Sequence, residues 1–429
     1  MVRQLYSAIH YLALPYIFLR LAWRGRRDPG YWERWGERFG RIAPLSGDQQ
    51  TLWVHAVSVG EVQAAVPLIR AIGKRFPNHN MLITTVTPTG AARVEANFGN
   101  TVSHCYIPFE TPIAVDRFFA SVNPKLALIM ETEIWPNLYR GCGLREIPLI
   151  LVSARISPNS VDRYRKFLPL FRETLSHGII IAAQSETDAE RFRSLGASPV
   201  RTWVTGNIKF DIELPSDLAE RGTEFRQQYF GDRPVWIAAS THDQEEQEVL
   251  SAHRTLLESY PELLLVLVPR HPERFAAVAD MIDKAGFEKV ARTEEESCAA
   301  EANVFLGDTM GEVPLFYAAS DIAFVGGSLV PIGGHNLLEP AALGLPLVSG
   351  PHVYNAQEIS DMFIDMGACR IVNNAAQLVV AVDNLLANPD EAAKQGGNGR
   401  SIVQRNRGAL ARLLTLLEPL IGEEQDAPE

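Results

Sequence analysis

Short apolar runs alternate along most of this chain with stretches in which apolar residues recur at helical spacing. Residues 52–57, 81–86, 126–130, 148–152, 178–184 and 202–205 read as buried strands. Residues 62–76 and a stretch from Ala91 read as helices between them. A polar, proline-bearing break at 211–216 interrupts the alternation. It then resumes, with strands at 235–239, 263–269, 303–306 and 322–325 and helices at 245–259, 272–285 and 312–319. Repeated βα units predict parallel sheets with helices on both faces. The reading is two doubly wound α/β domains of similar size joined near residue 215, facing each other across a cleft. Ligands in such sheets bind at the carboxyl ends of the strands. An amphipathic stretch at 408–420 predicts a last helix packing across the join, and the chain closes with an acidic tail.

The N-terminus breaks this pattern. Residues 5–23 are apolar and aromatic but include His10, Pro15 and Arg20, and Arg24, Arg26 and Arg27 follow at once. Residues 1–41 hold eight arginines against three acidic residues, a local balance of +5 within a chain of net charge −11. At about 19 residues the segment is just long enough to span a bilayer. Three readings stand: a signal-anchor with its arginines on the cytoplasmic side, an amphipathic helix lying on the membrane surface, or an ordinary buried first helix. No small-x-small cleavage site stands there, which argues against a removed signal peptide. Either membrane reading leaves the rest of the chain in the cytoplasm.

Composition narrows the class. The 429 residues are 46% hydrophobic and 21% charged, as in an ordinary folded body, and the acidic balance argues against nucleic acid as the main partner. Cys105, Cys142, Cys298 and Cys369 are scattered without C-x-x-C spacing, which points to reduced thiols and not to a zinc site or a disulfide framework.

Candidate chemistry clusters at strand-to-helix junctions. Residues 324–351, FVGGSLVPIGGHNLLEPAALGLPLVSGP, combine a strand, two glycine pairs, Asn336 as a helix N-cap and Gly344 as its C-cap. Glycines admit close backbone approach and a helix N-terminus favours anions, so the unit reads as a nucleotide cradle, with Glu339 placed to accept from ribose hydroxyls. The alternative is a plain βαβ turn. Glu61, after the first strand, is either a general base or a first-turn glutamate favoured by the helix dipole, which also lowers its pKa unless apolar neighbours offset that. Glu131 and Glu133 point the same way if their strand continues, and Lys209 stands before the linker, able to neutralise an anion. Ser240, Thr241 and His242, then Pro269, Arg270 and His271, then Thr309 to Glu312, close strands or open helices of the second half. No P-loop and no G-x-G-x-x-G is present, which excludes the usual ATPase and NAD readings. The basic, aromatic run 163–167 reads as a solvated helix face or as a contact to anionic lipid.

Seven segments carry a resemblance: WVHAVSVGE (53–61), TTVTPTG (84–90), ETEIWPNL (131–138), TGNIKFD (205–211), PRHPERF (269–275), GDTMGE (307–312) and GGHNLLEPAALGLP (333–346). With them the chain resembles the 3-deoxy-D-manno-octulosonic acid (Kdo) transferases of Gram-negative bacteria over nearly its whole length. The resemblance implies the GT-B fold, two facing Rossmann-like domains, with an N-terminal membrane anchor at 1–41, an acceptor domain at 42–215, a donor domain at 216–407 and the last helix and tail at 408–429. It implies transfer of Kdo from CMP-Kdo to the tetra-acylated lipid A precursor at the cytoplasmic face of the inner membrane, with no cofactor and no metal. By motif, Glu61 is the implied proton acceptor, and Glu131 and Lys209 are the transition-state stabilisers. Pro269, Arg270, Met310, Gly311, Glu312, Asn336, Leu337, Leu338 and Glu339 line the implied CMP pocket. The segment after Arg155 matches less well. A GT-B sugar-nucleotide epimerase and a non-catalytic nucleotide-binding membrane scaffold remain as alternatives.

Overall fold

A computed structural model describes residues 2–43, 49–298 and 301–422. The chain forms two compact units: Met1–Asp211 together with Asn406–Glu429, and Ile212–Arg405. Residues 423–429, most of the acidic tail, lie outside the described residues.

The first unit is built on seven strands: β1 (Thr51–His55), β2 (Asn80–Thr85), β3 (Ser103–Tyr106), β4 (Pro124–Met130), β5 (Leu149–Ala154), β6 (Ile180–Ala183) and β7 (Thr202–Val204). Their order is β3-β2-β1-β4-β5-β6-β7, and the pairings are parallel. Both faces are covered, so the strands are apolar throughout and alternate between two cores. Trp53, Ala127 and Ile129 pack with Phe118 and Phe119 on one face. Leu52, Val54, Leu126 and Leu128 face the other way.

That second core also takes in Ala409, Leu413, Leu417 and Ile421 of the last helix, Ala409–Ile421. Its start is held by Asp211, whose carboxylate accepts from Gly408 N at 2.6 Å and Leu410 N at 2.5 Å. The helix expected to pack across the join is thus part of the first unit's core.

The second unit repeats the plan with β8 (Val235–Thr241), β9 (Leu264–Pro269), β10 (Lys289–Ala291), β11 (Val304–Leu306), β12 (Ile322–Val325), β13 (Leu347–Ser349) and β14 (Cys369–Ile371). The order is β10-β11-β9-β8-β12-β13-β14, again parallel. The three strands that hydropathy does not mark, β3, β10 and β14, are all at sheet edges, where only part of each strand is buried.

Strand order reverses between β1 and β4 in the first sheet and between β8 and β12 in the second. At such switch points the connections on either side run in opposite directions, which opens a crevice beyond the strand ends.

The N-terminal helix, Val2–Gly25, is long and apolar enough to cross a membrane by length and composition. One side of it is docked on the first unit. Ser7 Oγ donates to Asn137 Oδ1 at 3.1 Å, Arg3 to the same oxygen at 3.3 Å, and the Tyr6 hydroxyl to Glu110. Phe18 stacks on Trp35 and Phe39. The other side is an exposed stripe of Leu5, Ile9, Leu12, Tyr16, Leu19 and Trp23 at alternating spacings of four and three, the period of one helix face.

Candidate active site

Glu61 lies in the first turn of the Val59–Arg75 helix, directly after β1. Its carboxylate accepts from Val57 N at 2.8 Å and lies 3.5 Å from Ser58 Oγ. Burial pushes its pKa up to about 7; the Val57 N–H opposes this, the Glu133 and Glu131 charges add to it, and Lys209 lowers it. A helix N-terminus alone would hold the group low, so here desolvation wins over the dipole. A carboxylate that titrates near neutrality is a stronger base than an ordinary one while still substantially ionised at pH 7.

Glu131 follows β4, the neighbour of β1 across the switch point. It adopts φ +55°, a left-handed conformation that costs a non-glycine residue about 1 kcal/mol or more. Its two oxygens are taken by different cations: Lys209 Nζ at 2.8 Å and Arg155 Nε at 3.1 Å. Burial works against ionisation, but Lys209 and Arg155 outweigh it and hold the carboxyl below its ordinary range.

Lys209 is placed by the short turn Ile208–Phe210, which Asn207 caps by accepting from Lys209 N at 3.0 Å. Ser153 Oγ anchors the same turn through Ile208 N at 3.2 Å, from a bulge in β5 where Ser153 has φ +48°. Sequence reasoning paired Glu131 with Glu133. The chain leaves the strand at Glu131, so the alternation lapses, and the Glu133 carboxylate instead accepts from Trp135 Nε1 at 2.6 Å. It did not single out Arg155; an arginine closing a buried strand was the available signal.

A cavity of about 420 Å³ in this unit is lined by Arg34, Pro88, His104 and Tyr106 among others, and by none of Glu61, Glu131 or Lys209.

In the second unit the glycine-rich segment departs from the cradle reading. The N–H groups of Gly327, Ser328 and Leu329 converge as a nest for an anion, but the protein's own Glu245 fills it, at 2.6, 2.8 and 2.8 Å. Glu245 is fully buried, from the start of the Glu245–Ser259 helix, and also accepts from His242 N at 3.0 Å. Gly333 N and Gly334 N both donate to Gly327 O, at 3.1 and 2.7 Å, so these amides are spent on the turn that presents the next helix. Glu245 was missed because its partners lie more than eighty residues downstream.

The remaining predicted positions surround the carboxyl end of this sheet. Pro269 ends β9, and Arg270 continues the ladder through its N–H to Thr241 O at 3.0 Å. The Arg270 side chain has no hydrogen bond or ion pair among the described residues. Met310 is exposed, Gly311 has φ +84°, and Glu312 is held by Arg292 at 3.1 Å and by Thr309 Oγ1 at 2.5 Å. Leu337 and Leu338 are buried. The N-cap of the Leu338–Leu343 helix is Leu337 and not Asn336 as the sequence suggests; Asn336 Oδ1 still accepts from Leu338 N at 3.0 Å, and its amide donates to Glu339 Oε1 at 3.0 Å. Burial raises the Glu339 pKa, and the Asn336 amide opposes this.

Two parallel seven-stranded α/β units, each with polar groups gathered at its switch point, define a glycosyltransferase of the GT-B fold. Residues 33–212 match the 3-deoxy-D-manno-octulosonic-acid transferase family and residues 232–402 match glycosyl transferases group 1. The chain is 42% identical to the 3-deoxy-D-manno-octulosonic acid transferase of Haemophilus influenzae, over 98% of this chain and 99% of that one. It is 35% identical to the enzyme of the same name from Bordetella pertussis, over 95% and 97%. Among solved structures, UDP-GlcNAc 2-epimerase from Neisseria meningitidis bound to UDP-GlcNAc aligns with a TM-score of 0.54 at 16% identity, covering 86% of this chain and all of that one, and shares the fold alone. The chain belongs to the 3-deoxy-D-manno-octulosonic acid transferase family.

Proposed function

We propose that the protein transfers Kdo from CMP-Kdo to the tetra-acylated lipid A precursor, with inversion at the anomeric carbon and with Glu61 as proton acceptor. The observation that carries the catalytic assignment is the contrast between two carboxylates across one switch point. Glu61 titrates near 7, as a base at neutral pH requires, while Glu131 is held ionised by Lys209 and Arg155. Glu61 takes the proton of the attacking sugar hydroxyl. The anomeric carbon of Kdo bears a carboxylate, and charge builds there as the bond to CMP breaks. That charge is positive, and the ionised Glu131 carboxylate opposes it, while Lys209 pairs with the Kdo carboxylate beside it; neither group has to move.

The second unit holds the nucleotide. Arg270, whose guanidinium carries no internal partner among the described residues, is assigned to the phosphate. Pro269, Met310, Gly311, Glu312, Asn336, Leu337, Leu338 and Glu339 are assigned to the cytidine and ribose. Glu339 keeps one carboxylate oxygen beyond its bond to Asn336.

The N-terminal helix is assigned to the membrane surface at the cytoplasmic face of the inner membrane, and not to a span. One of its faces is committed to Asn137, Glu110 and Phe39, and the opposite stripe is free for the acyl-chain boundary. Asn137 lies in the first turn of the helix that follows Glu131, so this docking ties the membrane-facing helix to the loop that carries Glu131. Incubation with CMP-Kdo and the lipid A precursor, with products resolved by mass, tests the reading. Growth of the acceptor by whole Kdo increments is expected, and an unchanged acceptor mass rejects it.

A further inference from the structure

His242 and His335 meet side chain to side chain across the switch point of the second sheet. His242 follows β8 and His335 follows β12, the adjacent strands at which the order reverses. Their Nε2 atoms are 2.8 Å apart and their rings are nearly parallel, with centroids 5.1 Å apart. The fold is arranged to admit them. Gly327 has φ +66°, and a Cβ there would stand 2.7 Å from His335 Cδ2 and 2.8 Å from His335 Nε2. A glycine of the glycine-rich unit is therefore the seat of an imidazole pair. His335 directly precedes Asn336, and the His242 ring also meets His271, which follows Arg270, at 5.3 Å.

The chemistry of such a pair is constrained. One ring donates Nε2–H to the bare Nε2 of the other, so the accepting ring carries its proton on Nδ1 and the donating ring has a bare Nδ1. A neutral pair thus offers one outward N–H. Adding one proton at the bare Nδ1 leaves the bond between the rings intact, gives a second outward N–H, and adds one positive charge. Neither Nδ1 has a hydrogen bond among the described residues.

We propose that His242 and His335 together are a further contact for the phosphate of the donor nucleotide, and that the pair takes up one proton from solvent as the phosphate binds. This rests on the assignment of the second unit to the nucleotide. In the free protein the pair is kept neutral: burial lowers His335 to about 4, helped by His242, Arg270 and His271, and burial also lowers His242, against the pull of Glu245. The facing groups do not cancel this. The Glu245 carboxylate is spent on backbone amides, and Asp243 and Glu246 are paired with Arg274. Glu339, beyond Asn336, has its charged form disfavoured by burial. An arriving phosphate reverses the balance, because it supplies the negative charge that the imidazolium lacks. Departure of CMP adds a negative charge to that phosphate, so the same proton stabilises the leaving group.

The test is calorimetric titration of CMP and of cytidine at pH 7 in two buffers of different ionisation enthalpy, on wild-type protein and on His242→Gln and His335→Gln. Glutamine keeps a hydrogen-bonding side chain but cannot titrate. Wild type is expected to take up protons on binding CMP and none on binding cytidine. Each variant is expected to lose that uptake and to bind CMP about ten-fold more weakly, with cytidine affinity unchanged. Thermal melts confirm that the variants fold; if one does not, the other variant and the wild-type comparison of CMP with cytidine still decide. CMP binding with the same proton uptake in wild type and variants overturns the inference and leaves the nucleotide assignment standing. No binding of CMP to wild type overturns that assignment itself.

Discussion

Lys209 and Glu131, 78 residues apart in the chain, meet at 2.8 Å between Nζ and Oε1. The pair brings the end of β4 to the turn before the second unit, and Arg155 completes it from the end of β5. Removing Lys209 leaves Glu131 with one cation and the reacting centre with none of this field. Lys209→Ala is expected to lower kcat by about 100-fold or more with little change in KM for CMP-Kdo, the signature of an interaction used in the transition state. Because the lysine is partly exposed, the melting temperature should move little. Steady-state kinetics with a thermal melt check this; a rise in KM at constant kcat would reassign Lys209 to ground-state binding.

Glu61 links activity to stability through pH. Its pKa in the folded protein is about 7, above the unfolded carboxylate range, so the folded state favours the protonated form. The sign follows. The stabilising contribution is full below the unfolded pKa and is lost as pH rises through about 7. Relative to Glu61→Gln, which imitates the neutral acid, wild type should therefore lose about 3 kcal/mol between pH 4.5 and pH 8. Activity runs the other way, since the base must be ionised, and kcat/KM should fall below about pH 7. Denaturant melts across pH and a pH–rate profile test the two halves separately.

Glu245 is a structural anion where the sequence suggests a ligand. Glu245→Ala empties a nest of two buried amides and one half-buried amide, and the expected cost is about 3 kcal/mol or more in the stability of the second unit. Chemical denaturation followed by Trp236, which is buried in this unit, reports it. A change below about 0.5 kcal/mol would mean that the nest is not held by this carboxylate in solution.

The exposed stripe of the first helix makes a prediction about membranes. Leu12 and Leu19 are 81% and 72% exposed, so Leu12→Lys with Leu19→Lys should leave the fold and the melt unchanged. The same variant should cut co-sedimentation with anionic vesicles by about ten-fold or more, since each lysine opposes burial at the acyl boundary. Unchanged vesicle binding would place the membrane contact elsewhere.

The buried strands were legible because both sheet faces are covered, which turns β1, β4, β8 and β9 into continuous apolar runs. The edge strands were not, because SHCY, KVA and CRI are short and half-buried and carry no clear period. Glu61, Glu131 and Lys209 stood out as candidates from their junctions and motifs. What sequence could not supply was the partner of each group. Arg155 neutralises Glu131 through a β4–β5 pairing, and His335 reaches His242 only because β8 and β12 are neighbours. Glycine was the least transparent residue: in the glycine-rich unit Gly327 seats a histidine, and the N–H groups of Gly333 and Gly334, which read from sequence either as phosphate contacts or as turn formers, close a turn.

The account turns on Glu61, and the direct measurement is Kdo transfer by Glu61→Gln. CMP-Kdo and the lipid A precursor are supplied at saturation, products are resolved by mass, and CMP affinity is measured on the same preparation. The account predicts that CMP binds as in wild type while transfer falls by at least about 1000-fold, as expected when the general base is removed. Transfer by the variant within a few-fold of wild type would contradict it.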